Sequence, residues 1–118
     1  MHEFGIASSI VDTVVAQSAG LVNGSRVVKV GVMIGDLSGV DVEALKFSFD
    51  AIVAGSDLAP LEIEIERRRH RRRCGDCHKE FDVDVMAFDA RCPACANSNT
   101  EFLAGDELEI LYLEVEDC

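Results

Sequence analysis

Two short cysteine pairs constrain this chain more than any other feature. Cys74-Gly75-Asp76-Cys77 and Cys92-Pro93-Ala94-Cys95 each hold two thiols around a two-residue gap, with 14 residues between the pairs. Each pair places two thiolates on one tight turn, and two such turns complete a tetrahedron around one ion. Four soft thiolates favour Zn(II) over hard cations, with iron as the main competitor. Protein groups would fill all four positions, leaving no place for a reactive water, so the role is structural. A redox reading of C-x2-C needs a neighbouring βαβ pattern, which is missing here. The segment around the pairs is poor in apolar residues, so metal binding is expected to supply most of its folding energy. His70 and His78 flank the first pair and are expected to be exposed; the sharper alternative is that one of them exchanges with a thiolate at low pH. Cys118, the last residue, fits no pair and reads as a free thiol.

The rest of the chain alternates between two periodicities. Ala7, Ile10, Val11, Val14 and Leu21 recur at helical spacing, and Gly20 with Asn23-Gly24 closes that helix. Val28, Val30, Val32 and Ile34 share one face of a strand. After the turn Gly35-Asp36-Leu37-Ser38-Gly39, Ser38 and Asp41 suggest a capped second helix with Val42, Leu45, Phe49, Ile52 and Val53 on its apolar face. Leu61 to Glu66 alternates as a half-buried strand, and Glu107 to Glu116 forms a last one, with a phase switch near Leu111 that suggests a bulge or burial on both faces. With 118 residues there is room for one compact unit and a small insert. The expected fold is α+β: two helices on a small three-stranded sheet, with an inserted four-cysteine zinc-ribbon lobe. The expected boundaries are 1–66 with 105–118 for the body and 67–104 for the metal lobe.

Charge narrows the function. There are 22 acidic and 11 basic residues, and six of the basic ones lie in Arg67–Arg73; without that segment the formal charge falls from −11 to −17. Such a body repels nucleic acid and anionic membrane. The arginine run reads as a solvated linker or as a docking segment for an acidic surface. No apolar run approaches the roughly 20 residues of a membrane span, and the N-terminus has no signal core, which points to the cytoplasm. No Ser/His/Asp set, phosphate-cradling loop or open zinc site suggests an enzyme. A competing reading is a zinc-ribbon adaptor that binds nucleic acid or protein through its arginines, although no aromatic residues interleave with them for base stacking.

Met1-His2-Glu3 is a possible chelate. The bulky His2 is expected to keep Met1 in place with a free α-amine. That amine, the His2 amide nitrogen and the His2 imidazole can hold one ion in fused rings, and a deprotonated amide selects Ni(II) or Cu(II). Glu3 adds a carboxylate.

Beyond these patterns, the chain resembles the HypA/HybF family of hydrogenase maturation nickel metallochaperones. The likeness is carried by Met1-His2-Glu3, Ser8-Ser9-Ile10-Val11, Ile34 to Val40, Glu43-Ala44-Leu45, both cysteine pairs and Leu113 to Glu116. It implies Ni(II) as transported cargo held by Met1, His2 and Glu3, with Asp41 matching a further aspartate, and structural Zn(II) on Cys74, Cys77, Cys92 and Cys95. It also implies a maturation GTPase as partner and the hydrogenase large subunit as recipient (urease in some bacteria). A monomer or weak homodimer is expected, since the short connections at Arg67 and near Gly105 would permit exchange of a lobe between protomers.

Overall fold

The computed structural model describes residues 2–84, 86 and 90–117. The readings made for Met1 and Cys118 lie outside the described residues. Chain packing divides the protein into two units: Met1–Met33, Val40–Glu66 and Glu109–Cys118 form the first, and Ile34–Gly39 with Arg67–Leu108 the second.

In the first unit, α1 (His2–Ser18) buries Ala7, Ile10, Val11 and Val14, the expected apolar stripe. It begins five residues before that stripe and stops short of Leu21. At its end the Ser18 hydroxyl donates to the Val14 carbonyl (2.7 Å) and the chain turns through Ala19 and Gly20. Strand β1 (Arg26–Gly35) is the middle of a sheet ordered β2-β1-β6. This central place explains why Val27 and Gly31 are buried as well as Val30, Val32 and Ile34. A Cβ on Gly31 would lie 2.1 Å from the Tyr112 ring, so glycine here makes room for an aromatic on the neighbouring strand.

Helix α2 (Val42–Ala54) buries Leu45, Ser48, Phe49 and Val53 and closes at Gly55, whose N–H reaches the Ala51 and Ile52 carbonyls. Its N-cap is Asp41, whose carboxylate accepts from the Ala44 N–H (3.1 Å), so Ser38 does not have the capping role expected of it. Strand β2 (Glu62–Arg68) alternates as expected but continues through two arginines. Glu64 accepts the Tyr112 hydroxyl proton (2.7 Å) and pairs with Lys29 (3.6 Å). Strand β6 (Leu108–Glu116) has no fully buried residue. Burial on both of its faces, one of the two expectations for its phase switch, is therefore not found.

The second unit holds an antiparallel sheet ordered β4-β3-β5, from β3 (His70–Cys74), β4 (Glu80–Val83) and β5 (Thr100–Ala104). Here the linker reading of Arg67–Arg73 fails. Arg71 to Arg73 sit in the central strand, opposite Asp82, Phe81 and Glu80 on one side and Ala104, Phe102 and Glu101 on the other, with a bulge between Arg71 and Arg72. Arg71 bonds Asp82 (2.8 Å) and approaches Glu80 (3.6 Å); Arg69 pairs with Asp82 (3.6 Å) and Arg73 with Glu80 (3.9 Å). Each such half-exposed pair contributes at most about 1 kcal/mol, and together they tie three of the six arginines to the two carboxylates of the hairpin.

Ile34–Gly39 belongs to this unit through backbone bonds: Gly35 N–H to the Glu107 carbonyl (2.8 Å), Asp36 N–H to Arg68 (2.9 Å) and Leu37 N–H to Gly105 (2.7 Å). Gly35 and Gly105 pass so closely that a Cβ on Gly35 would sit 2.1 Å from the Gly105 oxygen.

Candidate metal centre

Among the described residues, one small apolar cluster of the second unit is Cys74, Phe81, Val83 and Cys92, with Ala90 packed against them. Two of these four side chains are thiols of the cysteine pairs, so the cluster and the metal site coincide. The four sulfurs lie within 4.8 Å of one another. Cys74 to Cys95 measures 3.6 Å, Cys77 to Cys92 3.5 Å and Cys77 to Cys95 3.9 Å. A tetrahedron with metal–sulfur bonds of about 2.3 Å has edges of about 3.8 Å. A disulfide would need about 2.05 Å. The donor set therefore fits one tetrahedral, thiolate-bound ion, with Cys74 and Cys92 buried and Cys77 and Cys95 facing solvent.

The two turns are built alike. In the first, the Cys74 N–H bonds the Lys79 carbonyl (2.9 Å) and the His78 N–H bonds the Cys74 carbonyl (3.1 Å). In the second, Cys92 bonds Asn97 (3.0 Å) and Ala96 bonds Cys92 (2.8 Å). Backbone N–H groups of Asp76 and Cys77 point at the Cys74 sulfur (3.4 Å each), and that of Ala94 at the Cys92 sulfur (3.4 Å). The Cys77 and Asp76 N–H groups hold the Cys74 thiol down at about 7. Both turns pass through a left-handed residue, His78 (φ 63°) and Ala96 (φ 61°), where glycine would be unstrained. Asn97 donates to the Asp76 carboxylate, linking the turns directly.

Sequence reading missed the strut behind the site. Arg72 donates from Nε to the Thr100 hydroxyl (2.8 Å) and from Nη2 to the Thr100 carbonyl (2.7 Å). That hydroxyl donates onward to the Ala90 carbonyl (3.0 Å), two residues before Cys92. The only hint in the sequence was the alternation of Glu80-Phe81-Asp82-Val83, which marks β4 and hence a sheet around the arginines.

His78 is exposed, as expected, but His70 is not: it is 8% exposed, with its ring 5.8 Å from that of Phe102 and its Nε2 3.4 Å from Arg72. Burial, then the Arg72 charge, hold its pKa below the ordinary 6.5, against a smaller opposing pull from Asp36. A lowered histidine keeps its stabilising neutral form above the unfolded-state pKa and loses that contribution as pH falls through the folded one. Melting of the second unit between pH 7 and 5 is thus expected to fall more steeply in the wild type than in His70→Gln. Parallel pH profiles would remove His70 from the account.

At the start of α1, His2 Nε2 lies 3.8 Å from the Glu3 carboxylate. That same carboxylate oxygen accepts the Asp41 backbone N–H (3.0 Å), which holds Glu3 below the usual carboxylate range, helped by Glu3's own amide and by His2. The Glu3 carboxylate therefore lies between His2 and the backbone of Asp41, although 38 residues separate Glu3 from Asp41. The Asp41 carboxylate is engaged as the N-cap of α2.

A family model described as hydrogenase/urease nickel incorporation, metallochaperone, hypA matches residues 1–115. The chain is similar to the hydrogenase maturation factor HypA of Geotalea uraniireducens, at 40% identity over 98% of this chain and 100% of that one. A protein of the same description from Geobacter metallireducens is 41% identical with the same coverage. Among solved structures, the Ni metallochaperone HypA from Helicobacter pylori matches with a TM-score of 0.58 at 23% identity, covering 97% of each chain. A second solution structure, of a HypA protein, matches with a TM-score of 0.64 at 23% identity, over 97% of this chain and 95% of that one. These two likenesses speak for the fold alone.

Proposed function

This chain belongs to the HypA family of nickel-incorporation metallochaperones, and from that membership we propose that it binds Ni(II) at its N-terminus and delivers it for maturation of [NiFe]-hydrogenase. The observation that supports this reading is the place of the Glu3 carboxylate, beside the His2 imidazole and against the Asp41 backbone N–H. In the proposed site the Met1 amine, the His2 amide and imidazole, and carboxylates from Glu3 and Asp41 serve as donors, with His2 indispensable. Exposed placement of the His2 side chain, 69% accessible, suits a ligand that must give up its ion to another protein. The chemistry is transfer, with no bond made or broken in a substrate.

We assign Zn(II) to the four thiolates as a resident structural ion. Metal-ligand chemistry supports zinc, because four soft donors close the coordination shell. The first unit would then be the nickel carrier and the second a metal-stapled platform for the maturation partners, among them a GTPase and the hydrogenase large subunit; urease is a further possible recipient. Among the described residues no helix is long and apolar enough to cross a membrane, and a cytoplasmic site of action is part of the proposal. Against the rival reading, a zinc-ribbon adaptor binding nucleic acid or protein through Arg67–Arg73, three of the six arginines are already paired with Glu80 and Asp82.

Calorimetric titration of Ni(II) into zinc-loaded, tag-free protein tests the proposal beside His2→Ala. One nickel per chain is expected in the wild type and none in the variant, with zinc content and melting unchanged. Equal nickel affinity in His2→Ala would sink the assignment.

A further inference from the structure

Strand β6 is the end strand of the first unit's sheet. It pairs with β1 along one side, and among the described residues no strand pairs with its other side. Edge strands offer a row of free N–H and C=O groups, and proteins guard them with lysine, proline, bulges or a cover. Leu108–Glu116 contains no lysine, arginine or proline, and Leu111 (39%), Tyr112 (40%) and Val115 (43%) stay open to solvent. What the strand does carry is sorted by face. The sorting is complete only over its last four residues: Leu113 and Val115 continue the side of Leu111, while Glu114 and Glu116 follow Ile110 and Tyr112 on the other. Glu109, Glu114 and Glu116 have no cationic partner among the described residues.

Charge selects the occupant. The first unit holds 13 acidic and 3 basic residues, a formal −10, whereas the second holds 9 and 8, a formal −1. A second copy would bring another −10 unit to the same edge. We infer that the β6 edge receives an extended segment of a partner protein whose residues alternate between apolar and cationic. Added as a fourth strand, such a segment sets its apolar residues beside Leu111 and Val115 and its cations beside Glu114 and Glu116. Main-chain bonds supply affinity and the alternation supplies specificity.

The probe is a capped nine-residue peptide alternating lysine and valine, titrated into the full-length zinc-loaded protein. Saturable one-to-one binding is expected, with slowed amide exchange within Glu109–Glu116. The same peptide N-methylated at every amide is expected to bind about tenfold more weakly or worse, since it keeps the charge but cannot donate. Glu114→Lys with Glu116→Lys is expected to weaken the unmodified peptide by about tenfold, with zinc content and melting unchanged. Equal binding of the N-methylated peptide would reduce the contact to non-specific charge attraction and overturn the proposal, as would no binding. Concentration-dependent dimers in sedimentation that the peptide cannot compete would assign the edge to a second copy instead, and would also overturn it.

Discussion

Cys74→Ser is expected to empty the thiolate site and unfold the second unit. Among the described residues, the cluster that packs β3 against β4 is Cys74, Phe81, Val83 and Cys92, with Ala90 against it; two of its four members are thiols, so losing the ion removes the centre of the packing that offsets the strands' conformational entropy. In small zinc domains metal binding contributes on the order of 10–16 kcal/mol of apparent folding energy. Serine cannot replace a thiolate, because its hydroxyl does not ionise near neutral pH. Zinc analysis should then find little metal, and the amide signals of His70–Cys74, Glu80–Val83 and Thr100–Ala104 should collapse towards random coil. Signals from α1 and α2, which have their own buried residues, should persist. Full zinc content with native-like dispersion of the β3 signals would contradict this account of the core.

Gly35→Ala is expected to be nearly as damaging, for a different reason. The added methyl would lie 2.1 Å from the Gly105 oxygen, 2.2 Å from its carbonyl carbon and 2.7 Å from the Asp106 nitrogen. All three are backbone atoms, and the strands must part to admit it. That parting breaks the Gly35-to-Glu107 and Leu37-to-Gly105 bonds. A loss of about 3 kcal/mol or more follows from forced backbone displacement together with broken internal bonds. Gly5→Ala is the internal control. Nothing lies within 4 Å of its added carbon, and a helical glycine-to-alanine change stabilises by roughly 0.5–1 kcal/mol. Thermal melts of the two variants should move in opposite directions. Similar melting of Gly35→Ala and wild type would mean that the close approach relaxes freely.

The contrast between these sites also explains what the sequence disclosed. Local features were legible: the helical stripe from Ala7 to Val14, the alternation from Leu61 to Glu66 and the spacing of the cysteines each reflect a period or a turn encoded within a few residues. The second sheet was not, because a strand of His-Arg-Arg-Arg-Cys has no apolar alternation of its own. It is held by partners on β4 and β5 that only folding brings alongside. The same applies to His70, whose burial depends on Phe102, 32 residues away. At the start of α1, His2-Glu3-Phe4-Gly5 gives no periodic signal and contains a poor helix former. Ser38 and Asp41 are equally plausible caps from spacing, and only the Asp41 bond to the Ala44 N–H decides between them. The link between Glu3 and Asp41, central to the nickel reading, has no sequence signature at all beyond family likeness.

A helix that starts at His2 has a chemical consequence for a cation bound there. The first few amides of any α-helix have no carbonyl behind them to bond. A metal that takes an amide nitrogen from His2 therefore displaces a proton and not a helical bond, so α1 need not unwind to load or unload. Two helix starts converge at this point, since α2 begins beside Glu3, and their partial positive ends oppose a dication. Loading would thus be set by a balance between strong nitrogen donors and an unfriendly field, a balance that favours quick surrender of the ion over storage.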